Sequence, residues 1–251
     1  MRLFALEKYY HFAILQSSFH YYWAWQYCTT MKSDLTNTPS AIFQTFPFPQ
    51  NVSTEIEERL EAIGKKYHDF RQQLMMKIQL GLTKTYNQFH NPKLTEIDPC
   101  DPDISKKVFI KQYGKESWEL WNHLQKTETS CTFNEAVIDI IKLRQLQQEM
   151  DQAVLAAYGW QGEMDGDSDG IRLRHAFYSV NFLPENDRVR FTIHPDARKE
   201  ILNRLLYLNH EIYEKEKLKG VTTKKKKSVK KKSTKNCKNE IAGTPSQLPL
   251  F

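Results

Sequence analysis

The sequence predicts a mainly α-helical protein, in which long helices pack as a bundle beside a small β-hairpin and a disordered, basic tail. Three observations predict this fold class. Apolar residues recur at three- and four-residue spacing through 54–81 and 133–158, as amphipathic helices require. Two short segments near residues 173–193 flank turn-forming residues, which is typical of a hairpin. Residues 219–251 are rich in lysine and poor in apolar side chains, so they cannot build a core.

The composition is that of a globular protein with one large or two small domains: 251 residues, 40% hydrophobic and 26% charged. No apolar run is long enough to span a bilayer, and the first residues lack a signal-peptide pattern. The four cysteines are far apart and form no Cys-x-x-Cys pair. This spacing argues against a disulfide framework or a zinc site and favours a reducing cytoplasm.

The first expected segment, residues 1–50, is built around aromatic side chains. Apolar residues follow helical spacing from about Tyr9 to Tyr27, and the second half of that stretch is crowded with rings. The motif 46–49, Phe-Pro-Phe-Pro, then excludes a helix, because proline lacks a backbone donor and restricts the residue before it. We interpret the segment as an aromatic helix, an extended pass across it and a rigid exit. An ordinary core helix followed by a proline-rich loop is the alternative.

The second expected segment, residues 51–218, opens with the clearest helix. Its apolar residues follow a nearly heptad pattern, namely Ile56, Leu60, Ile63, Tyr67, Phe70, Leu74 and Ile78. Thr54 and Glu57 match a capping box at its start, and Gly81 fits a left-handed stop at its end. A single apolar stripe predicts a partner helix, and a helix of the same chain is favoured over an intermolecular coiled coil.

A dense polar stretch follows at residues 80–92. Thr83 is expected to cap a short helix that Pro92 ends. Between them stand several hydrogen-bonding side chains and one phenol ring, carried by Lys84, Tyr86, Asn87 and His90. Groups of this kind contact phosphates and base edges, so we predict that these four residues bind DNA. A polar, well-capped turn is the alternative.

The remaining elements follow from periodicity and stop signals. A short helix with Trp118 and Trp121 is expected within 95–130, and a second long helix from about Phe133 to Tyr158, which Gly159 ends. Segments 173–182 and 189–193 predict a β-hairpin, and the last helix is expected to start at Pro195. The glycine- and aspartate-rich loop 161–170 superficially resembles a calcium loop, but it lacks the closing glutamate, so we predict no metal there.

The third expected segment, residues 219–251, carries the basic character of the chain. The net charge is +6, and residues 221–251 contribute +8 from nine lysines and one glutamate, which leaves −2 for residues 1–220. Such a segment attracts polyanions by counterion release without reading sequence. We predict that seven of its lysines bind DNA: Lys224, Lys225, Lys226, Lys227, Lys230, Lys231 and Lys232. A solvated tail without a partner is equally compatible with the pattern.

Motifs for common chemistries are absent from the sequence. There is no Gly-x-Gly-x-x-Gly, no Walker loop and no Gly-x-Ser-x-Gly, and the eight histidines do not pair at metal-ligand spacing. The sequence therefore predicts no catalytic, cofactor-binding or metal-binding residue.

Several stretches nevertheless carry a resemblance. Residues 15–23, which read Leu-Gln-Ser-Ser-Phe-His-x-x-Trp, with 27–35 and 45–49, resemble the end of the target-recognition domain in one group of DNA methyltransferases. These are the large adenine-specific enzymes of bacterial restriction-modification and phage-defence systems, including the MmeI-like fused enzymes. Residues 80–90 resemble a further signature of the group. Residues 150–160 and 205–211 are similar to its C-terminal helical region, and 190–193 also fits.

The resemblance implies a DNA partner but not a complete enzyme. Members of the group use S-adenosylmethionine, bound by a doubly wound domain, and hold the flipped adenine with an Asn/Asp-Pro-Pro-Tyr motif. Neither feature is in these 251 residues. The resemblance therefore implies a non-catalytic C-terminal part that contributes to DNA docking and target recognition, with no cofactor of its own. It also implies a bacterial cytoplasm, in association with the nucleoid, and no membrane partner.

Two alternatives stay open. In the first, the chain is a subunit of a split methyltransferase and is active only with a catalytic domain or subunit supplied in trans. In the second, it is a helical scaffold that binds protein. In the second case the lysine tail has no specific role.

Overall fold

The computed structural model describes residues 8–27, 29–31, 34–36, 42–43, 45–97, 105–162 and 170–228, the backbone alone for 29–31, 34–36, Asn186 and 219–228. Eight α-helices dominate these residues, so the predicted mainly α-helical class is confirmed. The helices are α1 (Tyr9–Gln16), α2 (Ser18–Tyr27), α3 (Thr54–Ile78), α4 (Leu82–Phe89), α5 (Lys106–Tyr113), α6 (Lys115–Lys126), α7 (Phe133–Ala157) and α8 (Pro195–Ser228). The strands are β1 (Thr29–Met31), β2 (Asp34–Thr36), β3 (Ala176–Ser179) and β4 (Val189–Thr192).

The predicted single helix from Tyr9 to Tyr27 is two helices, which is a correction. The chain becomes extended at Ser17, with φ −67° and ψ 160°. The Ser17 hydroxyl donates to the Ile14 carbonyl oxygen at 2.6 Å, a local bond that competes with continuation of the helix. The break gives α2 a separate N-terminus, which points into the core.

Both ends of α3 also differ from their predicted signals. Its N-cap is Ser53, whose hydroxyl accepts a hydrogen bond from the Ile56 backbone N–H, and not Thr54. The left-handed residue at its C-terminus is Gln79, with φ 51°. Gly81 is extended and serves as the N-cap of α4, so Thr83 lies inside that helix and does not cap it. The predicted apolar stripe packs against α1 and α7, as expected for a partner within the chain; its residues are buried except Ile56 and Phe70, which are half-buried.

Helix α7 is the central element of the bundle. It starts with a capping box between Thr132 and Glu135 and ends before Gly159, whose φ of 68° matches the predicted stop. Helices α1, α3, α4 and α6 all pack against it. Because it has neighbours on several sides, most of its residues are buried, including Arg144 and Asp151.

Two antiparallel hairpins complete the described structure. Strands β3 and β4 form the predicted one, in which Phe177 pairs with Phe191. Strands β1 and β2 pair in the segment that we interpreted as an extended pass, so the chain turns back on itself there.

The chain divides into two compact units, Met1–Asn209 and His210–Phe251. The first unit includes both the aromatic segment up to residue 50 and most of the helical region that follows it. In the second, the α8 backbone stays helical beyond Lys219 as far as Ser228, and the remainder of the predicted disordered tail lies outside the described residues. The glycine- and aspartate-rich residues 163–169 lie outside them as well. No described helix is both long enough and apolar enough to cross a membrane.

Candidate nucleic-acid interface

The carboxylate of Asp151 on α7 joins three parts of the fold. It accepts hydrogen bonds from the Ser18 backbone N–H at 2.8 Å and the Ser18 hydroxyl at 2.7 Å. His175 Nε2 donates at 2.8 Å and Gln147 Nε2 at 3.2 Å. Asp151 is fully buried, and four donors replace the water that a buried carboxylate loses. We call these four residues the Asp151 hub.

The hub explains why the N-terminus of α2 points towards α7. A helix N-terminus has unsatisfied N–H groups and a partial positive charge, both of which a carboxylate stabilises. The break at Ser17 aims the first N–H of α2 at Asp151, so α7 supplies the cap from a distant part of the chain. The Ser18 hydroxyl donates to the same carboxylate, so the arrangement positions the start of α2.

A cavity of about 150 Å³ lies beside the hub. Its walls come from the α1–α2 junction, α2, α4, α7 and β4, and they combine aromatic rings with amide, hydroxyl and imidazole groups. Tyr22 and Thr192 close one wall through a 2.8 Å hydrogen bond between their hydroxyls. We call this space the hub cavity.

His90 contributes an uncharged imidazole to the hub cavity. Its Nδ1 accepts a hydrogen bond from the Phe191 backbone N–H at 3.2 Å, so the proton of the neutral ring is on Nε2. Burial, with smaller contributions from the positive charges of Arg190 and Arg144, lowers the pKa of His90 to about 3. The ring is therefore neutral at physiological pH and presents a donor, Nε2–H, that bonds to no described group.

Gln147 contributes a hydrogen-bond acceptor to the hub cavity, which complements the His90 donor. Its amide nitrogen is engaged by the Asp151 carboxylate, which can only accept, and this fixes the orientation of the side-chain amide. The Gln147 carbonyl oxygen has no partner among the described residues. The hub cavity is thus lined by one free donor and one free acceptor, both held by partners behind them.

Tyr86 lies at the edge of the same cavity. Its hydroxyl is 2.8 Å from the Tyr67 hydroxyl and receives longer hydrogen bonds from Gln16 at 3.4 Å and Arg71 at 3.5 Å. These contacts hold the phenol ring between α1 and α3, so the Tyr86 ring is a rigid part of the cavity lining.

Aromatic rings cluster around Tyr21 at one side of the cavity. Tyr21, which lines it, is 40% exposed, and Phe182 is 41% exposed. Trp25 stacks on Phe182 with ring centroids 4.6 Å apart. We call Tyr21, Trp25 and Phe182 the aromatic ledge. Such rings stack with unpaired bases in single-stranded nucleic-acid sites.

Two arginines add positive charge next to the ledge. Burial raises the pKa of Tyr21, and the nearby charges of Arg190 and Arg198 reduce that rise. Arg190 lines the hub cavity, while the Arg198 guanidinium lies over the Tyr22 ring at 4.3 Å. Two buried Arg198 nitrogens, Nε and Nη2, bond to no described group. Arginine beside aromatic rings is a common setting for nucleic-acid contacts.

The four polar residues predicted on α4 do not form one surface. Tyr86 and His90 line the hub cavity, whereas Lys84 and Asn87 are exposed on another side of the helix. There they line a second cavity, of about 310 Å³, between α4 and α6, together with Glu119, Asn122 and Lys126. The predicted set therefore divides into a half-buried pair and an exposed pair.

The lysines of the predicted set are only partly covered by the structure. Lys224 to Lys227 lie in the helical part of α8, where the backbone alone is described, and Lys230 to Lys232 lie outside the described residues. Sequence reasoning missed Gln147 entirely. It did not single out Ser18, Asp151 or Arg190 either, although these residues stand inside the stretches that carry the resemblance, which is the signal that could have found them.

Comparison of the chain with protein-family models, with curated proteins and with solved structures finds no match.

Proposed function

We propose that this chain is a non-catalytic C-terminal region of a site-specific adenine DNA methyltransferase, and that it contributes to DNA docking and target recognition. One observation supports this proposal most directly. Four stretches that carry the resemblance are far apart in the sequence, yet they supply Ser18, His90, Asp151 and Phe191 to one neighbourhood.

The contacts within that neighbourhood are continuous. Ser18 bonds to Asp151, Asp151 to His175, and the His175 ring stacks on Phe191 with centroids 6.1 Å apart. The Phe191 backbone then donates to His90. Residues that depend on one another in this way form one structural unit, which supports the proposal that the four resembling stretches belong together.

The docking role is supported by the charge and the aromatic groups. The lysine-rich segment carries a charge of +8 that attracts a polyanion without sequence preference. The aromatic ledge and Arg190 offer stacking and charged contacts of the kind that hold nucleic-acid strands. In the proposed assembly, S-adenosylmethionine and the adenine pocket belong to a catalytic domain in the same or another chain.

Binding to labelled duplex DNA, followed by fluorescence anisotropy, tests the proposal. We expect affinity that falls as salt rises, because phosphate contacts release counterions. In a chain ending at Lys219, replacing Tyr21 and Phe182 by serine should weaken binding further. A matched control replaces Tyr207, which is 75% exposed and lines neither cavity, by serine and should leave the affinity unchanged. A chain that does not bind DNA at any salt concentration would favour the protein-binding scaffold instead.

The methyltransferase part of the proposal has its own test. Calorimetry should detect no binding of S-adenosylmethionine to the isolated chain, because the sequence has no Gly-x-Gly-x-x-Gly motif to hold it. Methyl transfer to DNA should occur only when a protein with the missing domain is added. Stoichiometric binding at micromolar affinity by this chain alone would contradict the proposal.

A further inference from the structure

We propose that the hub cavity binds one unpaired pyrimidine base of a DNA strand. This inference rests on the proposed DNA-docking function and assigns a specific task to the cavity. It is carried by the size of the space, by the groups that line it and by its position beside the aromatic ledge.

The size favours a six-membered ring. The cavity measures about 150 Å³. Pockets for drug-sized ligands start at about 300 Å³. An apolar cavity of about 150 Å³ accommodates benzene. A pyrimidine therefore matches the space, whereas a purine would have to leave part of its ring system at the opening.

The polar groups match the edge of a pyrimidine. The Nε2–H of neutral His90 is a donor, and the Gln147 carbonyl oxygen is an acceptor. Thymine carries two carbonyl oxygens and the N3–H, and cytosine carries one carbonyl oxygen and an exocyclic amino group, so each base has an acceptor for the His90 donor and a donor for the Gln147 oxygen. Because Phe191 and Asp151 hold the two side chains from behind, little side-chain order is lost when a base binds. The surrounding walls, including Tyr86 and Phe191, supply apolar contact to the ring.

The position allows a DNA strand to reach the cavity. Tyr21 belongs both to the cavity lining and to the aromatic ledge, so the ledge lies next to the cavity. Arg190 lines the same cavity; its Nε donates to the Asp187 carbonyl oxygen at 2.8 Å and its Nη2 pairs with the Asp187 carboxylate at 3.4 Å, so a contact with the phosphate of the inserted nucleotide would use its remaining N–H groups. An unpaired base costs less to extrude than a paired one, so a strand defect should favour insertion.

The test compares two duplexes of one sequence, with thymine opposite either adenine or an abasic site. We expect the full chain to bind the second duplex at least about tenfold more tightly, because the unpaired thymine enters the cavity without loss of a base pair. A third duplex, with adenine opposite the abasic site, should show a smaller preference. Comparing affinities within one protein cancels the nonspecific contribution of the lysine tail.

Two variants connect the preference to the cavity. Gln16→Trp places a large side chain at a position that lines the cavity, and it should reduce the preference to about one. Gln73→Trp makes the same change at an exposed position of α3 and should leave the preference unchanged. Thermal unfolding of both variants establishes that each is folded, and Tyr21→Leu provides a second test at the exposed edge of the cavity.

The possible outcomes are distinct. Equal affinity for all duplexes, with strong salt dependence, overturns the base-binding inference while the docking function stands. A preference that survives Gln16→Trp also overturns it. Binding of free thymidine by calorimetry without any preference between duplexes would identify a nucleoside site unrelated to a DNA strand. If the chain binds no DNA, both the docking function and this inference fail.

Discussion

At the scale of single residues, Asp151 shows how a buried charge is made tolerable. The carboxylate accepts four hydrogen bonds and connects α7 to α2 and to the segment before β3. No substitute side chain of similar size accepts from all four donors. The hub therefore stabilises one arrangement of these elements, and we expect the fold to depend on it.

Asp151→Asn tests that dependence. An asparagine amide group would face donors where the carboxylate now accepts, so we expect a loss of roughly 3 kcal/mol in the free energy of unfolding. Urea unfolding at pH 7 measures it. The control is Glu149→Gln, which disrupts only an exposed ion pair with Lys66 and should change stability by less than about 0.5 kcal/mol. Equal effects of the two variants would contradict the role of the hub.

His90 and His20 predict that stability falls in mild acid. Burial, the largest cause in each case, lowers the pKa from 6.5 to about 3 for His90 and about 4 for His20. The unfolded chain therefore binds protons below pH 6.5 that the native chain does not, so stability present above that pH is lost as pH falls. Each histidine should contribute a loss of about 2 kcal/mol between pH 7 and pH 5.

Urea unfolding from pH 5 to pH 8 measures this loss. The variant His90→Gln retains an acceptor for the Phe191 N–H but cannot titrate, so its stability should depend less steeply on pH. A variant with the same pH dependence as the original chain would contradict the assignment of His90 as a buried, neutral imidazole.

At the scale of elements, the short helix α4 carries two pairs of polar residues on different faces. Residues three or four apart share a helix face, so Lys84 lies with Asn87 and Tyr86 with His90. The pair on the hub cavity is held by hydrogen bonds to α3 and β4. The other pair is exposed beside α6 and remains available to a partner.

Replacing Lys84 and Asn87 by alanine tests the exposed pair. We expect the free energy of unfolding to change by less than about 0.5 kcal/mol, because both side chains are exposed. DNA binding by the chain that ends at Lys219 should weaken, since a phosphate contact and a base-edge contact are removed. Lost stability with unchanged DNA binding would identify this part of α4 as a structural turn. Replacing exposed Lys107 and Gln112 on α5 by alanine serves as the matched control.

At the scale of the whole molecule, charge is distributed unevenly along the chain. Residues 1–220 carry a formal charge of −2, and the last segment carries +8. A DNA-docking chain with this distribution would gain most of its nonspecific affinity from the lysine segment. The cavity and the ledge would then act on a strand that the lysines already hold.

Ending the chain at Lys219 tests this division. The truncation removes nine lysines, so binding should weaken on every DNA sequence alike, and affinity should depend less on salt. Anisotropy titrations over a range of salt concentrations measure both effects. Replacing the same lysines by glutamine separates the loss of charge from the loss of chain. A truncated chain with unchanged affinity and salt dependence would mean that the lysines have no part in docking.

Sequence patterns predicted elements well where the determining interactions are local. Helix α7 begins at Phe133 as expected, and Gly159 follows its end, because a glycine adopts a positive φ at little cost. The predicted C-terminal end of α3, by contrast, was wrong, because Gln79 takes the left-handed conformation that Gly81 was expected to have. Local preference favours glycine at such a position, so the observed stop at Gln79 runs against it; the turn that follows buries Leu80, whose N–H donates to the Met75 carbonyl oxygen.

The sequence by itself determined the helical class, the two long helices, the β3–β4 hairpin and the charge of the tail, since each depends on spacing or composition within a short window. Only the tertiary structure decided that Ser18 meets Asp151 and that His90 meets Phe191, because these partners are 133 and 101 residues apart. No periodicity records such a pairing. It arises when the apolar faces of several helices are buried together and their remaining polar groups must find partners in the same core.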